Sequence, residues 1–199
     1  MSGDTEKLSD TALDTLFRKA RSHDAFAPDT VTDEQLRTVH EIMKHGPTTS
    51  NSQPQRIVFL RSVEAKQRLA PALSNANRAK TLAAPVVAIF AYDLNFPDHL
   101  DRFYHVAGAK HWYTKTAALR QETALRNATL QAAYFMLAAR AIGLDCGPMS
   151  GFDNAKVDAE FFPDGQLKSN FLCNLGKGDA SKLPPANPRF EFDEVCRVL

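Results

Sequence analysis

Apolar positions divide the chain into helix-period and strand-period segments. Residues 8–20 set Leu13, Leu16, Phe17 and Ala20 at helical spacing behind Ser9, a residue type that caps helix N-termini. Thr32 and Gln35 form a capping-box pair ahead of Leu36, Val39 and Met43, and Gly46 with Pro47 closes that segment. Residues 47–54 (PTTSNSQP) hold no large apolar side chain. They lead into RIVFLR at 56–61, whose β-branched and aromatic content predicts a strand. A polar, turn-rich loop entering a buried strand is a common place for a ligand to be held. Residues 64–73 predict a short helix. The nearly continuous apolar run 85–92 (PVVAIFAY) predicts a strand buried on both faces. Residues 93–115 are polar and rich in aromatics, and predict a mobile helical or loop excursion outside the core.

The longest predicted helix covers 116–142. Leu125, Ala128, Ala132, Phe135, Ala139 and Ile142 step by 3, 4, 3, 4 and 3, and Leu130, Tyr134, Leu137 and Ala141 form a second stripe. A helix apolar on two faces is expected to be buried on both sides, in a domain centre or at a subunit interface. Gly143 ends it. Strands are expected at 144–149 and 170–176, separated by a turn at 150–153. Residues 190–199 are ambiguous between strand and short helix, and the prolines after Leu183 make 183–199 an extended C-terminal arm. The order of elements predicts a single α+β domain over 1–199, one sheet covered by helices.

Composition narrows the function classes. Of 199 residues, 44% are hydrophobic and 24% charged, ordinary values for a folded soluble chain. Lys+Arg number 24 and Asp+Glu 23, a net charge of +1, so no global field favours nucleic acid or an anionic membrane, and only local anion sites remain. Cys146, Cys173 and Cys196 are too few and too far apart for a disulfide scaffold or a CxxC metal site. Residues 1–8 carry Asp4 and Glu6 without an apolar stretch, which argues against a secretory signal. The apolar run 83–92 is too short to span a bilayer. The expected location is cytoplasmic.

Several familiar chemistries fail on spacing. Gly176 and Gly178 lack the third glycine of a dinucleotide-binding turn, and no phosphate-binding P-loop occurs. Gly147, Ser150 and Gly151 read GxxSG rather than GxSxG, so a glycine turn exposing backbone N–H groups is favoured over a serine nucleophile. His99, His105 and His111 recur every six residues, whereas helical metal ligands need three or four. Cys146 reads as a small buried apolar residue. Arg21, Lys80 and Arg189 fall in turns or just before predicted strands. Each alone reads as a solvated surface charge, and together they have the chemistry to hold a phosphate, although spacing does not show that they meet.

With PTTSNSQP at 47–54, Asn77-Arg78-Ala79-Lys80, GPMSGFD at 147–153 and Arg189 in this order, essentially the whole chain resembles the FMN-dependent nitroreductase family. ARSH at 20–23, LRNATLQAAY at 125–134, GLDCGPMSGFD at 143–153, LKSN at 167–170 and GKGDASKL at 176–183 resemble its RutE/HadB subgroup. The resemblance implies a nitroreductase-like central mixed sheet covered by helices, in an intertwined homodimer with FMN at the subunit interface. It implies a ping-pong NAD(P)H oxidoreductase, with NADPH or NADH as co-substrate and hydride passing through flavin N5. It further implies reduction of malonic semialdehyde to 3-hydroxypropionate in pyrimidine degradation.

By the same resemblance, Arg21, Ser22 and Arg189 bind the FMN phosphate. Thr48, Thr49 and Asn51 reach the flavin from the other subunit, Asn77 and Lys80 face the pyrimidine side of the ring, and the backbone N–H groups of Ser150 and Gly151 address N5 and O4. No protein nucleophile is required. His105, His111 and Tyr113 are candidate proton donors, and Arg102, Lys110 and Lys115 are candidate partners for a substrate carboxylate. Two positions depart from the family pattern: Asp24 stands where many members have a basic residue, and Ser150 where many have Glu. The alternatives are a broad-specificity nitro-compound or quinone reductase, and a flavin-binding protein without hydride-transfer turnover.

Overall fold

In the computed structural model, which describes residues 7–199, the apolar run in the middle of the chain forms β2 (Val86–Asp93), buried along its whole length. The first six residues of the segment weighed for a secretory signal lie outside the described residues. Successive side chains of a strand point to opposite faces. Val86, Ala88 and Phe90 therefore join one apolar cluster, and Val87, Ile89 and Ala91 the other. β2 is flanked by β1 (Gln55–Leu60) on one side and β4 (Leu167–Gly176) on the other. With β3 (Asp145–Met149) the order is β1-β2-β4-β3. All three ladders are antiparallel, with Gln55 opposite Tyr92 and Asp145 opposite Gly176. The parallel contribution to the expected mixed sheet is one isolated bridge, Ser22 beside Cys146. The helix-covered α+β fold is as the sequence predicts.

One face of the sheet is covered by α2 (Asp33–Met43) and α7 (Ala117–Ala141). The capping box forms: Gln35 N–H donates to Thr32 Oγ1 at 3.1 Å, and Thr32 N–H to Gln35 Oε1 at 2.9 Å. Leu36, Val39 and Met43 are buried as their spacing requires. Gly143, at φ +80°, ends α7. The expectation that α7 is covered on both sides holds on one side only within the chain. Ala128, Ala132, Phe135 and Ala139 face the core, whereas Leu119 and Leu130 are 38% and 43% exposed. Leu137 shares the outer face with them, and Leu125 is also exposed. The N-terminal helix is shorter than 8–20: Ser9 caps α1 (Asp10–Leu13), which continues as a wider turn to Arg18.

The other face carries α3 (Val63–Leu69), α4 (Asn75–Ala83) and α8 (Asn154–Phe161). The sequence pattern did not signal α4 or α8. α4 buries only Thr81 fully and is held at its C-terminal end by Lys66, whose Nζ donates to the carbonyls of Leu82 at 2.9 Å and Ala84 at 2.7 Å. Lys80 thus sits on a helix rather than in a turn. The 93–115 excursion is also anchored, contrary to its expected place outside the core. It folds as a turn at Phe96–His99, then α5 (Leu100–Phe103) and α6 (Lys110–Tyr113). Phe96 is fully buried with Tyr92, Ala124 and Ala128 in a third cluster. Residues 183–199 run outward with one short turn, α9 (Phe192–Val195), and Phe190 is 75% exposed. Among the described residues no helix is long and apolar enough to cross a membrane.

Lys66→Met leaves two carbonyls at the end of α4 without their donor, an expected loss of about 1–3 kcal/mol in urea unfolding. Burial lowers the Lys66 pKa from 10.5. The unfolded chain then keeps this proton to higher pH than the folded chain, so the stability contributed here rises with pH between the lowered value and 10.5. The gap between wild type and variant should widen as pH is raised through that interval.

Candidate functional site

The site is organised by a close backbone approach at Gly147. The segment 21–26 lies along β3, where His23 N–H donates to the Cys146 carbonyl at 3.0 Å. A Cβ on Gly147 would strike the His23 carbonyl oxygen, and one on Gly178 would strike the His23 ring. Glycine at both positions lets the segment lie flat. His23 is buried with Nε2 3.6 Å from Asp145 Oδ1, and Asp145 Oδ2 accepts the Gly178 N–H at 2.9 Å. Arg21 and Ser22 are thereby delivered to one rim of the sheet.

At that rim lies a cavity of about 390 Å³ lined by Arg21, Ser22, Arg140, Lys182 and Arg189, with Asp24 and Asp179 beside them. Arg21 and Arg189, far apart in sequence, meet here with Ser22, whereas Lys80 is not among the lining residues. Arg21 Nη2 donates to the Pro184 carbonyl at 2.6 Å, tying the start of the C-terminal arm to the cavity. Arg189 Nη1 donates to the Asn187 carbonyl at 2.9 Å, and Arg140 Nη1 to the Leu16 carbonyl at 2.9 Å. The hydroxyl and N–H of Ser181 hold the Asp179 carboxyl below its ordinary pKa. Sequence reasoning missed Arg140 and Lys182. The first sits on a long amphipathic helix and the second in a polar turn, and neither context marks a cation as inward-facing. Four cations around a hydroxyl, three of them arginines held by backbone carbonyls, are suited to a phosphate dianion.

Asn77 and Lys80 lie one turn apart on α4 and continue the rim. Lys80 Nζ is 2.7 Å from Asp24 Oδ1. Asn77 Nδ2 donates to the Gly151 carbonyl at 3.0 Å, and Ser74 N–H donates to the same oxygen at 3.0 Å. A Cβ on Gly151 would strike Asn77 Nδ2. Ser150 is exposed at the end of β3, and among the described residues no histidine or carboxylate bonds its hydroxyl, so the structure supplies no activated serine. Cys146 and Cys173 are buried, and hydrogen bonding with Cys146, together with burial, pushes the Cys173 thiol well above its ordinary value. Both are shut away from any substrate by burial.

Thr48, Thr49 and Asn51 lie elsewhere. Thr49 N–H donates to Asn127 Oδ1 at 2.8 Å, Ser50 Oγ and Tyr113 OH are 2.7 Å apart, and Asn51 Nδ2 donates to the Phe103 carbonyl at 3.0 Å. Ser50, Asn51 and Gln53 all have φ between 43° and 49°, a costly conformation for non-glycine residues that these bonds help hold. Among the described residues this loop shares no hydrogen bond with the cation-lined cavity or with Asn77 and Gly151. The single chain therefore carries the expected site residues as two separate groups. Asn127 and Ser50, which fix the loop, were not singled out from sequence, because a polar residue on a long helix carries no mark of its tertiary partner.

A second cavity, of about 760 Å³, lies beside β1. Leu36, Met43, Ile57 and Phe59 line it with Arg37 and Arg102. Of the cations considered for a substrate carboxylate, Lys110 is paired with Asp98 at 2.5 Å, which raises its pKa, whereas the Arg102 guanidinium stacks 4.7 Å over the Phe103 ring.

The model of the nitroreductase family matches residues 17–177, and the chain belongs to that family. A Ralstonia nicotianae protein, named as a candidate NADH dehydrogenase/NAD(P)H nitroreductase, is 50% identical over 192 residues, 96% of this chain and 98% of its own. A Burkholderia lata protein of the same description is 52% identical over 191 residues, again 96% and 98%. Among solved structures, a candidate nitroreductase from Exiguobacterium sibiricum, determined in complex with FMN, superposes with a TM-score of 0.85 at 20% identity, covering 98% of this chain and 99% of that one.

Gly151→Ala should displace Asn77 and break its bond to the turn. The expected cost is about 1–3 kcal/mol in chemical unfolding, with the main chain of the turn shifted in a crystal structure.

Proposed function

We propose that this chain is an FMN-dependent NAD(P)H oxidoreductase of the RutE/HadB type, cytoplasmic and homodimeric, that reduces malonic semialdehyde to 3-hydroxypropionate. The observation that carries the reading is the meeting of Arg21, Ser22 and Arg189 in one cation-lined cavity, continued by Lys80, Asn77 and the Gly151 turn. That donor set fits FMN: cations and a hydroxyl for the phosphate, then an amide, an ammonium and a side-chain-free turn for the flat ring. Bound FMN supplies hydride exchange between NADPH or NADH and the acceptor. Arg21, Ser22 and Arg189 hold the phosphate. Asn77 and Lys80 meet the pyrimidine edge, and Ser150 and Gly151 offer backbone N–H groups to the ring. Arg102, free of a carboxylate partner among the described residues and next to the Phe103 carbonyl that Asn51 bonds, receives the acceptor's carboxylate at the cofactor site that the 47–54 loop reaches.

The homodimer reading rests on the separation of the two residue groups. Thr48, Thr49 and Asn51 reach the cofactor site of a second copy, not that of their own chain. The outer stripe Leu119, Leu130 and Leu137 of α7 gives an apolar surface for that contact, and the exposed arm 183–199 provides the intertwining. A broad-specificity nitroreductase or quinone reductase is the second reading, favoured by the descriptions of the two bacterial relatives.

The test is the visible spectrum of the protein with FMN. Retained flavin should bleach with anaerobic NADPH or NADH, and malonic semialdehyde should restore the colour. Reoxidation by nitro compounds or quinones but not by the aldehyde selects the second reading; retained flavin that neither nucleotide bleaches overturns both. Leu130→Glu should give a folded monomer by light scattering, with FMN lost. An intact dimer in that variant refutes the interface.

A further inference from the structure

Asp24 stands where the cation-lined cavity meets the Asn77–Gly151 cluster. Its carboxylate lines the cavity, and its Oδ1 lies 2.7 Å from Lys80 Nζ. The backbone around it is fixed on both sides, by His23 N–H on the Cys146 carbonyl and by Asp179 N–H on the Ala25 carbonyl, each at 3.0 Å. Lys80 is fixed from the opposite direction by α4, whose end Lys66 holds. Among the described residues Asp24 is the only carboxylate paired with Lys80. The backbones that carry the pair are therefore anchored separately.

We propose that Asp24 is a positioning and charge-balancing residue: it holds the Lys80 ammonium at the ring end of the site and cancels part of its field there. The inference rests on the FMN reading above and deepens it. Reduction adds negative charge to a bound flavin, and a nearby cation stabilises that form over the oxidised one. A carboxylate hydrogen-bonded to the cation turns a point charge into a dipole, whose field falls off faster with distance. The reduced cofactor is then held less tightly than an unpaired lysine would hold it, which makes it the stronger hydride donor. That suits a carbonyl acceptor, which is harder to reduce than a quinone or a nitro group. Asp24 is 75% exposed and Lys80 24%, so water screens the pair and keeps the effect modest.

The experiment is the midpoint potential of the FMN-loaded full chain, equilibrated anaerobically with a reference dye, in wild type, Asp24→Asn, Asp24→Lys and Lys80→Met. For Asp24→Asn the ratio of reduced to oxidised FMN affinity should rise about threefold to tenfold, roughly 15–30 mV at about 30 mV per tenfold for two electrons. Asp24→Lys should raise it further, Lys80→Met should lower it, and the Asn shift should shrink at high salt. A potential that is unchanged or falls in Asp24→Asn overturns the proposal. So does an equal, salt-insensitive change in the Asn and Lys variants, the signature of a purely structural role. Wild-type protein that takes up no FMN removes the functional reading and this inference with it, whereas bound FMN with a potential blind to residue 24 overturns the charge role alone.

Discussion

Two backbones run side by side at Gly147, and the rest of the site depends on that contact. Without a Cβ there, the His23 carbonyl packs against β3 and the His23 N–H finds the Cys146 carbonyl. From this one registration Arg21 and Ser22 project to one side, Asp24 reaches Lys80, and the Ser150–Gly151 turn emerges at the strand end. Buried His23, braced by Gly178 and Asp145, prevents the segment from sliding. A methyl group at residue 147 would displace the 21–26 segment, moving Arg21, Ser22 and Asp24 relative to α4 at once.

The frame was legible in the sequence wherever local rules decide structure. The 85–92 run became the central strand because its side chains alternate between two apolar layers, and the Thr32–Gln35 box and Gly143 marked real helix ends. Elements held by distant partners were not legible. α4 has little apolar periodicity and is finished by a lysine from another helix. The excursion at 93–115 looked irregular because its anchoring is tertiary: Phe96 packs on residues from β2 and α7, and Leu100 is buried as well. The site shows the same division. Its residue types could be named one by one, but that Arg21 and Arg189 share a cavity, and that Lys80 is already paired, are tertiary facts. The sequence pattern also put two apolar stripes on α7 without telling which faces the sheet; packing assigns Ala132 and Phe135 inward and leaves the Leu119–Leu130 line outside.

The 47–54 loop shows what an all-polar sequence does under restraint. Three non-glycine residues with positive φ cost about 1–3 kcal/mol each where nothing compensates. Here Asn127, Tyr113 and the Phe103 carbonyl each take one bond from the loop, and Thr48 Oγ1 accepts the Gln53 N–H at 3.2 Å. Small hydroxyl and amide side chains tolerate the left-handed region and bond locally, so the loop is rigid without an apolar anchor of its own.

The same bonds have an evolutionary consequence. Ser50 and Asn51 are held by Tyr113 and Phe103, so the 47–54 loop and the 93–115 segment share their supports. A lineage that rewrites 93–115 at Phe103 or Tyr113 rewrites those supports as well. Selection on the 93–115 segment is then not independent of selection on the 47–54 loop. Drift at Tyr113 or around Phe103 carries a penalty felt in that loop, and compensating changes should accumulate in 47–54 rather than in the segment that changed first.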